Sequence, residues 1–247
     1  MVSPTQRRTG RLARWPRLQR LAGFVRRVTS PTLRTVHRLQ HQSAELLQPF
    51  PDTMPDRHPA LFAHARRVLA ENPGPRLLSF GCSTGEEPLT LLRYLPEAQI
   101  DAVEINPRSI AIARKRANEA GCSTITFHQS GLPPRDTSYD AVFCLSVLRH
   151  GELDAAMPAL CTQILPFRRF DETLQLFDQI LKTGGHLYVW GSNFRFSDSS
   201  IAPRYQPIML SDAPPHPGAI YGSDDRLIDS RGNTVFVFRK ERSAASA

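Results

Sequence analysis

The sequence predicts an α/β protein built on a doubly wound, mostly parallel sheet, and three observations carry that prediction. Short apolar runs of strand length alternate with amphipathic helical stretches through the middle of the chain. The first strand, Leu77 to Phe80, runs into a glycine-bounded turn, Gly81-Cys82-Ser83-Thr84-Gly85, and then into a helix opened by Glu86-Glu87-Pro88. The second strand ends in an acid, Glu104, about 20 residues beyond that turn. Strand, glycine turn and helix together form the nucleotide-cofactor corner of a doubly wound sheet. Glycine there lets the backbone approach a ligand where a β-carbon would collide.

The turn also discriminates between cofactors. Its G-x-x-x-G spacing lacks the middle glycine of the dinucleotide fingerprint. Glu86 and Glu87 at the helix start would repel a pyrophosphate drawn to the helix dipole. They suit a cofactor with no phosphate and a cationic ammonium and sulfonium, a description that S-adenosylmethionine meets. A dinucleotide enzyme is the distant alternative.

At 247 residues the chain is long enough for one large α/β domain and an appendage. Its net charge of +8 is unevenly placed. Residues 1–40 hold ten arginines and no acid, leaving 21 of the 31 basic residues against all 23 acids in the rest. The body is therefore near neutral, which argues against a nucleic-acid groove spread over the whole protein. Cys82, Cys122, Cys144 and Cys161 lie 17 to 40 residues apart with no C-x-x-C pair. They read as reduced, mostly buried thiols rather than a disulfide frame or zinc site, and no metal is expected. No apolar run approaches the ~18 residues that span a bilayer, and no secretory apolar segment stands near the start. A cytoplasmic protein is expected, with peripheral membrane placement as the variant.

Taken in order, residues 1–50 form a basic arm. Leu12, Trp15, Leu18, Leu21, Val25 and Val28 recur at helical spacing among arginines, and Ser30-Pro31 opens a second helical segment. Such an arm could pack on the domain, serve as a transit peptide, or dock on an anionic membrane surface or nucleic acid. A proline-punctuated linker follows over 48–58, then a helix over Ala60–Glu71 stopped by Asn72-Pro73-Gly74-Pro75. The main domain is expected to run over 51–241 and a disordered tail over 242–247. Ala98–Ile105 is the second strand, whose terminal Glu104 is placed to accept hydrogen bonds from ribose hydroxyls. Asn106-Pro107 opens a helix with Arg114-Lys115-Arg116 on a solvated face. Ser123–His128 is the third strand, and Gln129-Ser130-Gly131 leaves it at the sheet's carboxyl edge, where an adenine would lie. Tyr139–Val147 is the fourth. Arg169–Leu181 reads as an amphipathic helix closed by Lys182-Thr183-Gly184-Gly185, and Leu187–Trp190 as the fifth strand. Residues 192–219 show no assignable pattern. Ala219–Tyr221 and Thr234–Lys240 look like a closing antiparallel pair.

The order strand–GCSTGEE–helix, strand to Glu104, QSGLP, YDAVFCLSVL and LKTGGHLYVWG resembles the class I S-adenosylmethionine-dependent methyltransferase superfamily over about residues 58–192. The resemblance implies a seven-stranded Rossmann-like sheet whose last strand is antiparallel. It matches Gly81, Ser83 and Gly85 to the cofactor loop, with Cys82 and Glu86 in the same turn. Glu104 matches the ribose acid, beside Ile105 and Asn106. Gln129 and Ser130, with Gly131, match the adenine-side loop, where many members carry an acid that this chain lacks. Cys144, Leu145 and Ser146 fall at the pocket end of the fourth strand. GCSTGEEP looks most like the loop of CheR-type receptor methyltransferases. That family typically has Arg-Asn where Leu145-Ser146 stand and Asp where Glu104 stands, so the cofactor site carries over and the protein-glutamate substrate does not.

The expected activity is methyl transfer to a small-molecule acceptor, with S-adenosylhomocysteine as product and no metal. A CheR-like carboxyl methyltransferase and a non-catalytic binding domain of the same fold are the alternatives. Methyl transfer needs alignment of nucleophile and methyl more than it needs a triad. Acceptor contacts are expected from Arg149, Asn193, Arg195 and Tyr205, the arginines favouring a carboxylate or phosphate. His150 is the candidate general base or substrate-positioning donor. The oligomeric state is left open.

Overall fold

A computed structural model describes residues 46–49, 53–213 and 217–241. The expected basic arm, except for residues 46–49, and the expected tail over 242–247 lie outside the described residues.

Among the described residues helix α1 (Pro59–Val68) comes first, and its apolar Leu61, Phe62 and Ala65 are buried. Strand β1 (Arg76–Phe80), α2 (Glu86–Tyr94), β2 (Gln99–Glu104), α3 (Pro107–Glu119) and β3 (Ile125–Gln129) then alternate as the periodicity predicts. Asn106 caps α3, its side chain accepting from the N–H groups of Arg108 and Ser109, and Pro107 supplies the preset first-turn φ. Strand β4 (Tyr139–Leu145), the short α4 (Gly151–Ala156), α5 (Phe167–Ile180) and β5 (Leu181–Trp190) follow. The chain closes with β6 (Tyr205–Ile208), β7 (Ile220–Tyr221), β8 (Leu227–Asp229) and β9 (Val237–Lys240).

The main sheet has seven strands in the order β3-β2-β1-β4-β5-β9-β6. Strands β1 to β5 are parallel, and β9 runs antiparallel between β5 and β6. This is the seven-stranded sheet with an antiparallel last strand that the resemblance implies. Alternation along β1 sends Leu77 and Leu78 to opposite faces, so the core has two layers. In one, Phe170, Leu174 and Phe177 of α5 pack on Phe80, Val142 and Leu187. In the other, α1 and α2 cover Leu77, Ile100 and Phe143. Each fully buried side chain of this size contributes about 1.5–3 kcal/mol. Phe143 and Tyr188, directly paired across β4 and β5, stack with ring centroids 4.4 Å apart.

Several boundaries differ from expectation. Lys182–Gly185 does not cap α5; the chain passes straight into β5, with Leu181 paired to Tyr139 and a register shift before Ala141. Gly185 is there for close packing, since a β-carbon would sit 2.8 Å from Leu181 Cδ1 and 3.0 Å from the Asp140 carbonyl oxygen. The stretch without pattern contains β6, and Ala219–Tyr221 pairs with β8 instead of with the last strand. A short helix, α4, also stands where a loop was expected. These segments are too short to show a period. Their pairing comes from long-range contacts.

Candidate functional site

The glycine turn between β1 and α2 is held from three sides. Both Gly81 N–H (2.8 Å) and Cys82 N–H (2.9 Å) donate to the Val103 carbonyl of β2. Gly81 has φ +78°, and a β-carbon there would lie 2.3 Å from Val147 Cγ2 beyond β4. From α3, Arg116 reaches back to the Thr84 carbonyl at 3.0 Å and pairs with Glu86. Arg116 therefore fastens the turn, which corrects the expectation of a solvated face for that residue. Glu86 is engaged at both oxygens, because its Oε2 also accepts from the Thr84 hydroxyl at 2.7 Å.

Glu104 joins the turn to the second loop. Its Oε2 accepts from Ser83 N–H at 2.9 Å and its Oε1 from Asn106 N–H at 2.7 Å. Burial pushes this carboxyl up, and the backbone donors at Asn106, Ser83 and Ile105 oppose that push. Gln129 stands beside Glu104 across β2 and β3, exposed, and Ser130 N–H donates to the Glu104 carbonyl at 3.2 Å. Gly131 follows in the same loop. Gly81, Ser83, Gly85, Glu104, Asn106, Gln129 and Ser130 thus lie on the consecutive loops after β1, β2 and β3.

A narrow cavity of about 40 Å³ opens at the turn, walled by Gly81, Cys82, Ser83, Glu87 and Leu145 and roofed by residues 53–58. Glu87 accepts a hydrogen bond from the Ser79 hydroxyl at 2.7 Å. Burial raises its carboxyl to about 7, against the lowering effects of Ser79 and of the Arg57 charge. Arg57 and His58 also line the cavity and meet Trp190 at the end of β5. The Arg57 guanidinium lies 5.5 Å from the Trp190 ring centre, and the His58 ring 4.1 Å. Asp56 ties the roof to α2 through its N–H to Thr90 Oγ1 (3.3 Å) and through Tyr94 Oη (3.1 Å). Sequence reasoning passed over Arg57, His58 and Trp190, for they sit in a proline-rich linker and at a strand end, where no period marks them. Glu87 it placed at the helix start without separating it from Glu86.

Beyond β4 the expected residues divide. Cys144 is fully buried in the core and its thiol is pushed well up by burial, whereas Leu145 faces the cavity. Ser146 takes φ +64°, and its buried hydroxyl finds no hydrogen-bond partner among the described residues. Arg149, His150 and Asn193 do come together, through Asp154. Arg149 pairs with Asp154. Asn193, 1% exposed, accepts from His150 N–H at 2.7 Å and donates to Asp154 (3.1 Å) and to the Ala219 carbonyl (2.8 Å). His150 caps α4, its Nδ1 accepting from Glu152 N–H at 3.3 Å, and burial lowers its pKa. Its Nδ1 is thereby engaged at the helix start. Arg195 and Tyr205 are elsewhere. Arg195 pairs with Asp229 at 3.6 Å, and buried Tyr205 donates to Asp178 at 3.0 Å. Both line a second, larger cleft that shares no residue with the cavity at the turn.

Residues 77–166 match a protein family described as a methyltransferase domain. Over 137 residues the chain is 30% identical to a release factor glutamine methyltransferase of Bacteroides thetaiotaomicron, which is 49% of this chain and 49% of that protein. Over 114 residues it is 29% identical to an uncharacterised protein of Synechococcus, which is 44% of this chain and 27% of that one. The chain thus spans half or less of the length of these two curated relatives. Among solved structures, a methyltransferase of Geobacter sulfurreducens in complex with S-adenosylhomocysteine aligns with 17% identity and a TM-score of 0.40, covering 76% of this chain and 59% of that one. No helix among the described residues is long and apolar enough to cross a membrane.

Proposed function

From a chain whose residues 77–166 match a methyltransferase domain, we propose that the loops after β1, β2 and β3 bind S-adenosylmethionine, the small cavity at the glycine turn taking only its amino-acid end, and that the protein methylates a small-molecule acceptor. The observation that carries this reading is the charge layout of the cavity. Two acids, Glu87 and Asp56, and one guanidinium, Arg57, line it beside the close-packed backbone of Gly81, and Asp56 is already engaged by Thr90 and Tyr94. That arrangement complements an amino-acid zwitterion, ammonium on Glu87 and carboxylate on Arg57, and offers little to a pyrophosphate.

When bound, the sulfonium supplies an activated methyl group and a neutral leaving group. The chain's own part is to bind and orient. Glu104, fixed by two backbone donors, presents a carboxylate edge to ribose hydroxyls. Gln129 and Ser130 flank it on the adenine side. On this reading an acceptor would approach past His58 and Leu145, which line the cavity, and Trp190, whose ring lies 4.1 Å from that of His58. His150, at the start of α4, is the candidate general base or acceptor-positioning donor on this reading.

Isothermal titration with S-adenosylmethionine, S-adenosylhomocysteine and NADH tests the reading. Binding of the first two in the micromolar range and not of NADH is expected, weakened about tenfold or more in Glu104→Ala, which loses charge-assisted hydrogen bonds. A folded protein that binds neither sulfur compound sinks it.

A further inference from the structure

The crossover from β5 to β6 runs over residues 191–204 with only two single-turn 3-10 segments, Phe196–Asp198 and Ala202–Arg204, and no helix. Its serines and Pro203 disfavour a continuous α-helix. With so thin a cover, a cleft of about 820 Å³ stays open between the crossover, strands β6 and β9, and the turn at residues 229–235. That is the size range of small-molecule sites.

Its floor is aromatic. Phe196 stacks on Phe238 with ring centroids 3.8 Å apart and planes 16° from parallel, and it meets Tyr205 edge-on at 5.4 Å. Two guanidiniums and one carboxylate stand at its rim. Asp229 accepts from the N–H groups of Ser230 (2.7 Å) and Arg231 (3.0 Å) and pairs with the Arg231 side chain at 3.0 Å. The same carboxylate meets Arg195 at the longer distance of 3.6 Å. Arg195 and Arg231 are 45% and 88% exposed, so both can reach a ligand, while Asp229, 15% exposed, keeps the backbone N–H donors of Ser230 and Arg231. The rim carries one net positive charge over an apolar, flat-sided floor.

We propose that this cleft is a binding site for an aryl carboxylate, its ring system against Phe196 and Phe238 and its carboxylate shared by Arg195 and Arg231. A neutral ring would fill the same floor and leave the rim charge unmatched, whereas a short aliphatic acid would match the rim without covering the floor. The site is separate from the glycine turn, and the assignment does not rest on methyl transfer.

Titration of the full chain with 2-naphthoate and with neutral 2-naphthamide tests it. The acid should bind about tenfold tighter than the amide, a charge-assisted pair's worth. Arg195→Ala with Arg231→Ala should erase that preference while leaving S-adenosylhomocysteine affinity unchanged; both side chains are exposed enough for the variant to fold. Equal binding of acid and amide, a preference that survives the double substitution, or displacement of naphthoate by S-adenosylhomocysteine would each overturn the assignment.

Discussion

Glu87 shows how a single side chain can couple folding, pH and ligand. Its carboxyl is near the ordinary value of 4.5 when the chain is unfolded and about 7 when folded. Between those values the folded protein holds the proton and the unfolded chain does not, so stability falls as pH rises through that window and levels off above it. Glu87→Gln removes the titration. Urea unfolding should show the variant gaining roughly 2–3 kcal/mol on the parent between pH 4.5 and pH 8. A difference that does not change with pH would refute the raised value. The ligand reverses the cost, because a cation beside Glu87 favours its ionised form. S-adenosylhomocysteine should bind the parent roughly tenfold tighter at pH 7.5 than at pH 5.5, and the Gln variant equally at both. At this scale the sequence was readable for Glu104, whose place at a strand end is set by local pattern. It was silent on Glu87 against Glu86. Adjacent identical side chains at a helix start differ only in what they meet, and Glu86 meets Arg116 while Glu87 meets Ser79.

Among the elements, the turn between β1 and α2 depends on β4 as much as on its own glycines. Gly81 combines positive φ with close approach to Val147, and the two costs are separable. Gly81→Ala should destabilise by about 2–4 kcal/mol, the sum of conformational strain and overpacking. Adding Val147→Ala removes the atom in the way and leaves the backbone strain, so it should recover part of the loss in thermal or urea unfolding. Strictly additive effects of the two substitutions would show that Val147 is not the obstacle. The long amphipathic helices and the first four strands were legible because burial imposes a period on them. Strands β6 and β8, of four and three residues, are too short to carry a period, and β5 hides its start behind two glycines that resemble a helix stop.

For the whole molecule, charge divides the chain. Ten arginines and no acid in residues 1–40 stand apart from a near-neutral body. Docking on an anionic membrane surface is one of the roles the arm's sequence allows, beside packing on the domain and binding nucleic acid, and deletion tests it. Removing residues 1–40 should leave S-adenosylhomocysteine affinity within about twofold, as for sites that share no partners. It should also abolish binding to phosphatidylserine vesicles that weakens with salt. Vesicle binding that persists without the arm, or a matching loss of ligand affinity, would count against the division.

Sequence alone determined the alternation of strands and helices, the glycine turn and the acid at the end of β2, because each is written in residues close together along the chain. Only the tertiary structure decided what surrounds them. The roof of Arg57 and His58 on Trp190, the tie of Asn193 to Asp154 and the aromatic cleft beside β6 and β9 join residues far apart in sequence, and Glu87 is told from Glu86 by the fold that turns it back on Ser79. Local propensity says nothing about such pairs. They exist because packing the two faces of one sheet brings them together.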